Sequence, residues 1–326
     1  MQRRTDRRPR PHHRPAPSLL LLLLLPSILA SACAAVPGAP RGGPAATPPA
    51  AVAEVPDTEI WLAPLQGGAE APTVGEPRNI TRRPGYDNQP AFLPDGHGVL
   101  YTAIGDGQAD VWIHLLRGGG RARVTATPES EFSPTPIPGE AAISVVRVES
   151  DERQRLWRVS LDPGRDITLL LPHVEPVGYH AWADPTTVFL FVLGEPPALQ
   201  RVSLPGGPPQ LVARDVGRSL HRIPGEQAMS YVQRQGEALW VTRYDLITGE
   251  SEPLVQLLPG SEDVAWGPGG TLWCGQGSRL LRWRQGQEGW LLVADLAPQG
   301  VGTISRLAVH PKGELLAFVA TTDGAE

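Results

Sequence analysis

The chain has 326 residues, of which 41% are hydrophobic and 19% are charged, a balance that supplies a core and excludes a chain disordered throughout. The net charge is −5, and residues 1–32 contribute six arginines and one aspartate (a net of +5), so the remainder carries −10. Such an acidic chain, with Lys312 as its one lysine, lacks the clustered basic residues that phosphate binding needs, and we expect no nucleic-acid partner.

Residues 1–32 have the organisation of an export signal. Arginines run to Arg14, a leucine-rich stretch follows, and small residues precede Cys33. The apolar stretch is shorter than the roughly 20 residues of a membrane-spanning helix, so we interpret residues 1–32 as a signal peptide. Two processing routes fit. One is ordinary cleavage at the small residues Ala30 and Ala32, and the other is lipidation of Cys33, because Leu29-Ala-Ser-Ala-Cys33 resembles a bacterial lipobox.

The segment after the signal, residues 33–56, is dominated by Ala, Pro and Gly. It has too little apolar surface to fold and should behave as an extended linker. We interpret it as a tether between a lipid anchor and a folded domain, which favours the lipoprotein route over ordinary cleavage. The alternative is a pro-segment without a role. We therefore expect an exported protein, in the periplasm or at the cell surface, that contacts the membrane through a lipid anchor only.

A pattern of short apolar runs around a Pro/Gly turn recurs six times in the rest of the chain. Its equivalent turn residues are spaced 44, 45, 41, 44 and 43 residues apart. They are Pro94, Pro138, Ala183, Pro224, Pro268 and Pro311. A repeat of this length, built from short alternating strands, is typical of a β-propeller blade. We predict one all-β domain over residues 57–326.

The two ends of this region complement each other. The last repeat holds only two strands, over residues 304–310 and 314–320, whereas residues 58–65 and 78–81 match the third and fourth strands of the first repeat. Pairing the N-terminal strands, about 58–81, with the C-terminal strands, about 304–320, gives a six-bladed β-propeller of four-stranded blades without an open sheet edge. Five blades would leave the apolar run at residues 60–62 unburied. We expect the closed domain to be a monomer.

Three segments carry a resemblance to a known family. Tyr86-Asp-Asn-Gln-Pro-Ala-Phe-Leu-Pro-Asp-Gly96, Gly105-Asp-Gly-Gln-Ala-Asp-Val-Trp112 and Arg123-Val-Thr125 resemble the WD40-like repeat of TolB-like propellers. The resemblance implies a six-bladed propeller and an exported protein. We expect a protein other than TolB itself, because residues 34–56 are too short and too proline-rich for the α/β domain that precedes the TolB propeller. No Gly-x-Ser-x-Gly motif of a serine hydrolase occurs.

Two histidines are candidate metal ligands in the central channel. His180 and His221 each lie three residues before a repeat turn, so they should sit at one level on adjacent inner strands. Imidazole pairs bind divalent cations, as the resemblance to lyases of this fold implies. The alternative is a pair of hydrogen-bonded channel histidines. We expect no cofactor, with a divalent cation at this pair as the alternative.

Three carboxylates are candidate binding residues at the rim of the channel. Asp87 and Glu131 occupy the loops that enter the first two inner strands, and Asp263 lies near the same rim. Exposed carboxylates there would bind a cation or a partner's basic side chain, and local turn capping is the alternative.

These features together predict an exported, lipid-anchored propeller that acts as a protein-binding or scaffold module in the bacterial cell envelope, with envelope proteins as its partners. The alternative is a channel-based, metal-assisted enzyme similar to oligogalacturonate lyases. We favour binding over catalysis because an enzyme needs several convergent polar groups, and the sequence offers two histidines.

Overall fold

The computed structural model describes residues 56–162, 164 and 166–322 of the chain. In these residues the backbone forms β-strands joined by turns, and the one helical segment is a single 3₁₀ turn, Ala297–Gln299. No helix in the described part is long and apolar enough to cross a membrane. The predicted signal peptide, the lipidation site Cys33 and the tether up to residue 55 lie outside the described residues, so these assignments stay predictions.

The described residues begin with the outer part of a blade that the last two described strands complete. The strands are β1 (Glu59–Gln66), β2 (Thr73–Val74) and β3 (Arg78–Asn79). β1 pairs with β3 through Leu62 and Arg78, and with β2 through Leu65 and Val74. The pairing with β3 is the one that the repeat pattern predicts, and β2 is an addition that the pattern does not show.

Five complete blades follow, each an antiparallel sheet of four strands. Blade 1 contains β4 (Asp87–Phe92), β5 (Gly98–Gly105), β6 (Gln108–Leu115) and β7 (Arg121–Arg123). Blade 2 contains β8 (Ser130–Pro136), β9 (Ala142–Val148), β10 (Gln154–Ser160) and β11 (Ile167–Leu169). Blade 3 contains β12 (Val177–Asp184), β13 (Thr187–Val192), β14 (Ala198–Ser203) and β15 (Gln210–Arg214). Blade 4 contains β16 (Val216–Arg222), β17 (Ala228–Gln235), β18 (Ala238–Asp245) and β19 (Ser251–Gln256). Blade 5 contains β20 (Val264–Trp266), β21 (Leu272–Gln276), β22 (Arg279–Trp283) and β23 (Leu291–Asp295).

Blade 6 joins the two ends of the chain. It consists of β24 (Val301–Val309) and β25 (Leu315–Thr322) together with β1, β2 and β3. β1 pairs antiparallel with β25 from Glu59 opposite Ala320 to Pro64 opposite Leu315. The predicted six-bladed propeller and its closure by the terminal strands are therefore confirmed.

Apolar side chains form layers between neighbouring blades rather than one central core. Ile60 and Leu62 of blade 6, for example, pack with Val99 and Tyr101 of blade 1. Alternation along each strand places apolar residues on faces that the next blade covers. Each fully buried aliphatic or aromatic side chain stabilises the fold by about 1.5–3 kcal/mol. The closing blade is therefore held to its neighbour by the same kind of contact as the others.

The inner strands are irregular near their starts. In five blades the pairing of the inner strand with the second strand shifts register, and blade 5 is the exception within the described residues. Gln89 in β4 and Ser133 in β8 lie at two of these shifts and have φ angles of 59° and 54°. Bulges of this kind redirect side chains, and here they determine which residues face the channel.

Candidate functional site

A cavity of ≈ 360 Å³ lies at the centre of the propeller, and the inner strands of all six blades line it. The volume is in the lower range of small-ligand sites. Its polar and aromatic lining includes Gln89, Ser133, Thr135, Tyr179, His180, Trp182, Arg218, Ser219, His221, Arg222, Asp263, Trp266 and Arg306. Small residues at Ala91, Ala265 and Ala308 occupy the level of the two histidines and leave the space open.

His180 and His221 both line this cavity, in agreement with their predicted position on adjacent inner strands. The Nε2 atom of His180 lies 2.6 Å from the Ser144 hydroxyl, and that of His221 lies 3.0 Å from the Ser219 hydroxyl. Burial lowers the pKa of His180 to about 3. Burial also lowers the pKa of His221, although the nearby negative charge of Asp263 opposes this shift. Both imidazoles are therefore neutral near pH 7.

The two histidines have no third ligand beside them. Within the described residues, no group of three or more His, Cys, Asp or Glu side chains is arranged to hold a metal ion. One nitrogen of each imidazole already has a serine hydroxyl as its neighbour, and His180 Nδ1 is buried without a hydrogen-bond partner. A cation at this pair stays a prediction. The hydrogen bonds agree with the alternative of channel histidines in a polar network.

Asp87 and Glu131 do not lie exposed at the rim, and this premise of the sequence-based prediction is wrong. Their side chains are 0% and 1% exposed. Arg83 donates two hydrogen bonds to Asp87 Oδ1, at 3.0 and 2.8 Å. Thr127 donates its hydroxyl proton to Glu131 Oε1, and Arg147 Nε lies 3.5 Å from the same oxygen. Burial nevertheless raises the pKa of Asp87 to about 6 and that of Glu131 to about 7.

Asp263 differs from these two carboxylates because it lines the cavity. Its Oδ2 accepts a hydrogen bond from the backbone N–H of Leu307 in the next blade at 3.2 Å. The first two predicted rim residues therefore anchor loops within their own blades, whereas Asp263 both joins two blades and contributes a negative charge to the channel. A binding role for any of the three stays a prediction.

Several channel residues were not identified from the sequence. The Arg306 guanidinium lies over the Tyr179 ring, with its carbon 4.6 Å from the ring centroid. Burial and the neighbouring Tyr179 raise the pKa of Tyr86, whereas the positive charges of Arg306 and Arg218 oppose this shift. The spacing contained a usable signal, since Gln89, Asp263 and Arg306 all lie five residues before their repeat turns. Arg218 lies six residues before its turn, and the bulge in β16 brings it to the cavity.

No protein-family model and no curated protein matches this sequence. Among solved structures, a TolB-type protein from Agrobacterium tumefaciens has a TM-score of 0.64 at 13% identity, covering 81% of this chain and 98% of that one. TolB from Acinetobacter baumannii has a TM-score of 0.53 at 13% identity, and the match covers 81% of this chain and only 64% of that one. A gluconolactonase from Xanthomonas campestris has a TM-score of 0.57 at 13% identity, over 79% of this chain and 94% of that one.

The similarity to these structures is a similarity of fold. This chain has a TolB-like six-bladed propeller, as the repeat pattern predicted. Because a gluconolactonase has the same architecture, the fold alone does not distinguish a binding module from an enzyme. The distinction has to come from the residues of the channel.

Proposed function

We propose that this protein is an exported binding module of the bacterial cell envelope, held by a lipid at Cys33, and that it receives its partner in the central channel. The observation that carries the proposal is the cavity of ≈ 360 Å³ to which all six blades contribute polar side chains. Two of the buried nitrogens there, Arg218 Nε and His180 Nδ1, have no hydrogen-bond partner in the described part of the chain. Buried polar atoms without a partner are unfavourable, and a bound group would satisfy them.

Binding is favoured over catalysis because the titratable side chains of the channel do not assemble acid–base machinery. Asp263 accepts a backbone N–H, and the His180 imidazole, with its pKa near 3, is a weak base. General acid–base catalysis near neutral pH works best with a pKa near the working pH. The export and anchoring parts of the proposal rest on residues 1–33 and on the linker composition of residues 34–56.

A site-specific photo-crosslinking experiment in the native envelope tests the proposal. A photoreactive amino acid at Pro138, which lines the cavity, should give one discrete crosslinked species that mass spectrometry identifies. The matched control carries the same group at Leu211, which is 55% exposed on the outer strand β15. Crosslinking from position 138 should fall when Ala91→Trp fills the channel, with the melting temperature showing that the variant is folded. Equal products from positions 138 and 211, or products insensitive to Ala91→Trp, would exclude a partner in the channel.

A further inference from the structure

The cavity carries more positive than negative charge, in contrast to the chain as a whole. Among its described lining residues are three arginines, Arg218, Arg222 and Arg306, and one carboxylate, Asp263. The complete chain has a net charge of −5. A cationic channel in an acidic protein is a local feature that the overall composition does not explain.

One of the three arginines has a structural role. Arg222 donates hydrogen bonds to the backbone carbonyl oxygens of Ala183, at 3.0 Å, and Ala228, at 2.8 Å. The first bond joins the ends of the neighbouring inner strands β12 and β16, and the second reaches the start of β17 in the same blade, so these contacts account for the guanidinium group. The other two arginines are different.

Arg306 forms no ion pair within 4.0 Å in the part of the chain that the structure describes, and its main contact is the face of the Tyr179 ring. Arg218 has a single carboxylate near it, with its Nη2 3.6 Å from an oxygen of Glu262, whose side chain is 47% exposed. The Nε atom of Arg218 is buried and has no hydrogen-bond partner among the residues that the structure describes. Two arginines thus line the same cavity, Arg306 without an ion pair in the described residues and Arg218 with one at 3.6 Å.

Arg218 and Arg306 are half-buried. A half-buried guanidinium group without a close anionic partner is unfavourable, because burial removes part of its hydration without supplying a counter-charge. Arginine has a planar set of donors that matches the oxygens of a carboxylate or a phosphate and forms short, charge-assisted hydrogen bonds with them. Asp263 is the one carboxylate among the described lining residues, so it supplies one negative charge against two guanidinium groups, and no ion pair within 4.0 Å joins it to either of them in the described residues.

We propose that the channel binds an oxyanion, the carboxylate or phosphate group of a small ligand, between Arg218 and Arg306. This inference deepens the proposed binding function and names the chemistry of the ligand at the same site. The anion supplies the counter-charge that Arg306 lacks and that Arg218 receives only from the half-exposed Glu262. Tyr179 holds the Arg306 side chain in position through the cation–π contact. Trp182 and Trp266 form part of the wall next to which the rest of the ligand would lie.

Titration of the purified full chain with succinate and with inorganic phosphate, at constant ionic strength, tests this proposal. Calorimetry gives the affinity, and the fluorescence of the cavity tryptophans provides a second readout. We expect at least one of the two anions to bind, and Arg306→Gln and Arg218→Gln each to weaken that binding by at least about tenfold, the loss of one charge-assisted contact. Preference for succinate would identify a carboxylate ligand, and preference for phosphate a phosphorylated one.

Arg158→Gln is the matched control, because it removes the same charge at a position away from the cavity. Arg158 lies in β10, the third strand of blade 2, and is paired with Glu140. The control variant should bind the anion as the wild type does. Arg306→Lys keeps the charge without the planar donors. Partial recovery of anion binding in this variant would show that the channel is folded and that binding requires the positive charge. Absence of binding to both anions, or equal binding by wild type and both Arg→Gln variants, would overturn the proposal.

The outcome is separable from that of the proposed function. If crosslinking from position 138 identifies a partner but neither anion binds or competes with it, the channel is a binding site of another chemistry. If an anion binds through Arg218 and Arg306 but no crosslinked partner forms, the anion site stands and the envelope-scaffold function fails.

Discussion

The side-chain oxygen Oε1 of Gln89 accepts a hydrogen bond from the backbone N–H of Ser133 at 2.7 Å, and the two residues hold equivalent places in adjacent blades. The same Oε1 accepts the Thr102 hydroxyl proton at 2.8 Å. Related bonds join blade 5 to blade 4, from the Val264 N–H to the Ser219 hydroxyl, and blade 6 to blade 5, from the Leu307 N–H to Asp263. Residues at the starts of the inner strands therefore connect the blades, and the side chains between them face the channel.

Replacing Gln89 tests this connection. Gln89→Ala leaves the Ser133 N–H and the Thr102 hydroxyl without their acceptor, and we expect a loss of about 1–3 kcal/mol in the free energy of unfolding. Gln89→Gly should lose less stability than Gln89→Ala, because glycine adopts the φ of 59° without strain. Urea denaturation measures both, with Gln235→Ala at an exposed strand end as the control. A glycine variant less stable than the alanine variant would contradict this reading of the bulge.

The closing blade provides a second prediction. Phe318 is fully buried in β25 and stacks on Trp61 of β1, with ring centroids 6.3 Å apart. Phe318→Ala should lower the free energy of unfolding by about 3–5 kcal/mol, because it leaves a cavity across the pairing of the two chain ends. Ile247→Ala, at a residue that is 80% exposed, is the control and should have little effect. Similar melting temperatures for the two variants would show that the closing blade contributes little stability.

The raised pKa of Glu131 predicts that the stability of the protein depends on pH. This pKa is about 7 in the folded protein and 4.5 in the unfolded chain, because burial disfavours the charged form. The folded state then binds more protons between these pH values, so stability falls as pH rises from about 4.5 to about 7. Glu131→Gln should therefore stabilise the protein by up to about 3 kcal/mol at pH 8 and by little at pH 4.

Urea denaturation at the two pH values measures this difference. Glu140→Gln, at an exposed glutamate of the same blade, is the control. An equal loss of stability in Glu131→Gln at both pH values would mean that the contacts of the charged carboxylate with Thr127 and Arg147 outweigh its burial.

Cys33→Ser tests the anchor. A modified lipoprotein cysteine carries more than one acyl chain, which is enough for stable membrane retention. We expect the wild type in the membrane pellet and Cys33→Ser in the soluble fraction. Cys274→Ser, which changes the buried cysteine of β21, should stay in the pellet. A soluble wild-type protein with an unmodified Cys33 would instead support ordinary signal cleavage.

The channel histidines give a test of the enzyme alternative. After incubation with Mn²⁺, Zn²⁺ or Ca²⁺ and desalting, we expect far less than one equivalent of bound metal. Structural metal sites use about four ligands, and these two imidazoles have no further ligands beside them in the described residues. The His180→Ala, His221→Ala double variant should retain the same small amount. One equivalent of metal in the wild type, absent from the double variant, would favour a metal-assisted enzyme.

The repeat spacing was sufficient to predict the blades and their closure. Strand alternation and turn chemistry are local properties, so the strand predicted over residues 58–65 matches β1 within one residue at each end, and the incomplete end repeats required the pairing of β1 with β25. The position of His180 and His221 on adjacent inner strands, from which both line the channel, also followed from their constant distance to the turns.

The character of the site depended on tertiary structure. Asp87 and Glu131 lie at the starts of the inner strands β4 and β8, and their burial follows from contacts with Arg83, Thr127 and Arg147 that the repeat pattern does not contain. Bulges in the inner strands offset the period-two alternation and turn Arg218 and Arg306 towards the channel. The two arginines are separated by 88 residues along the chain and lie on different blades. Their positive charges therefore meet in one cavity only because six inner strands pack around one axis.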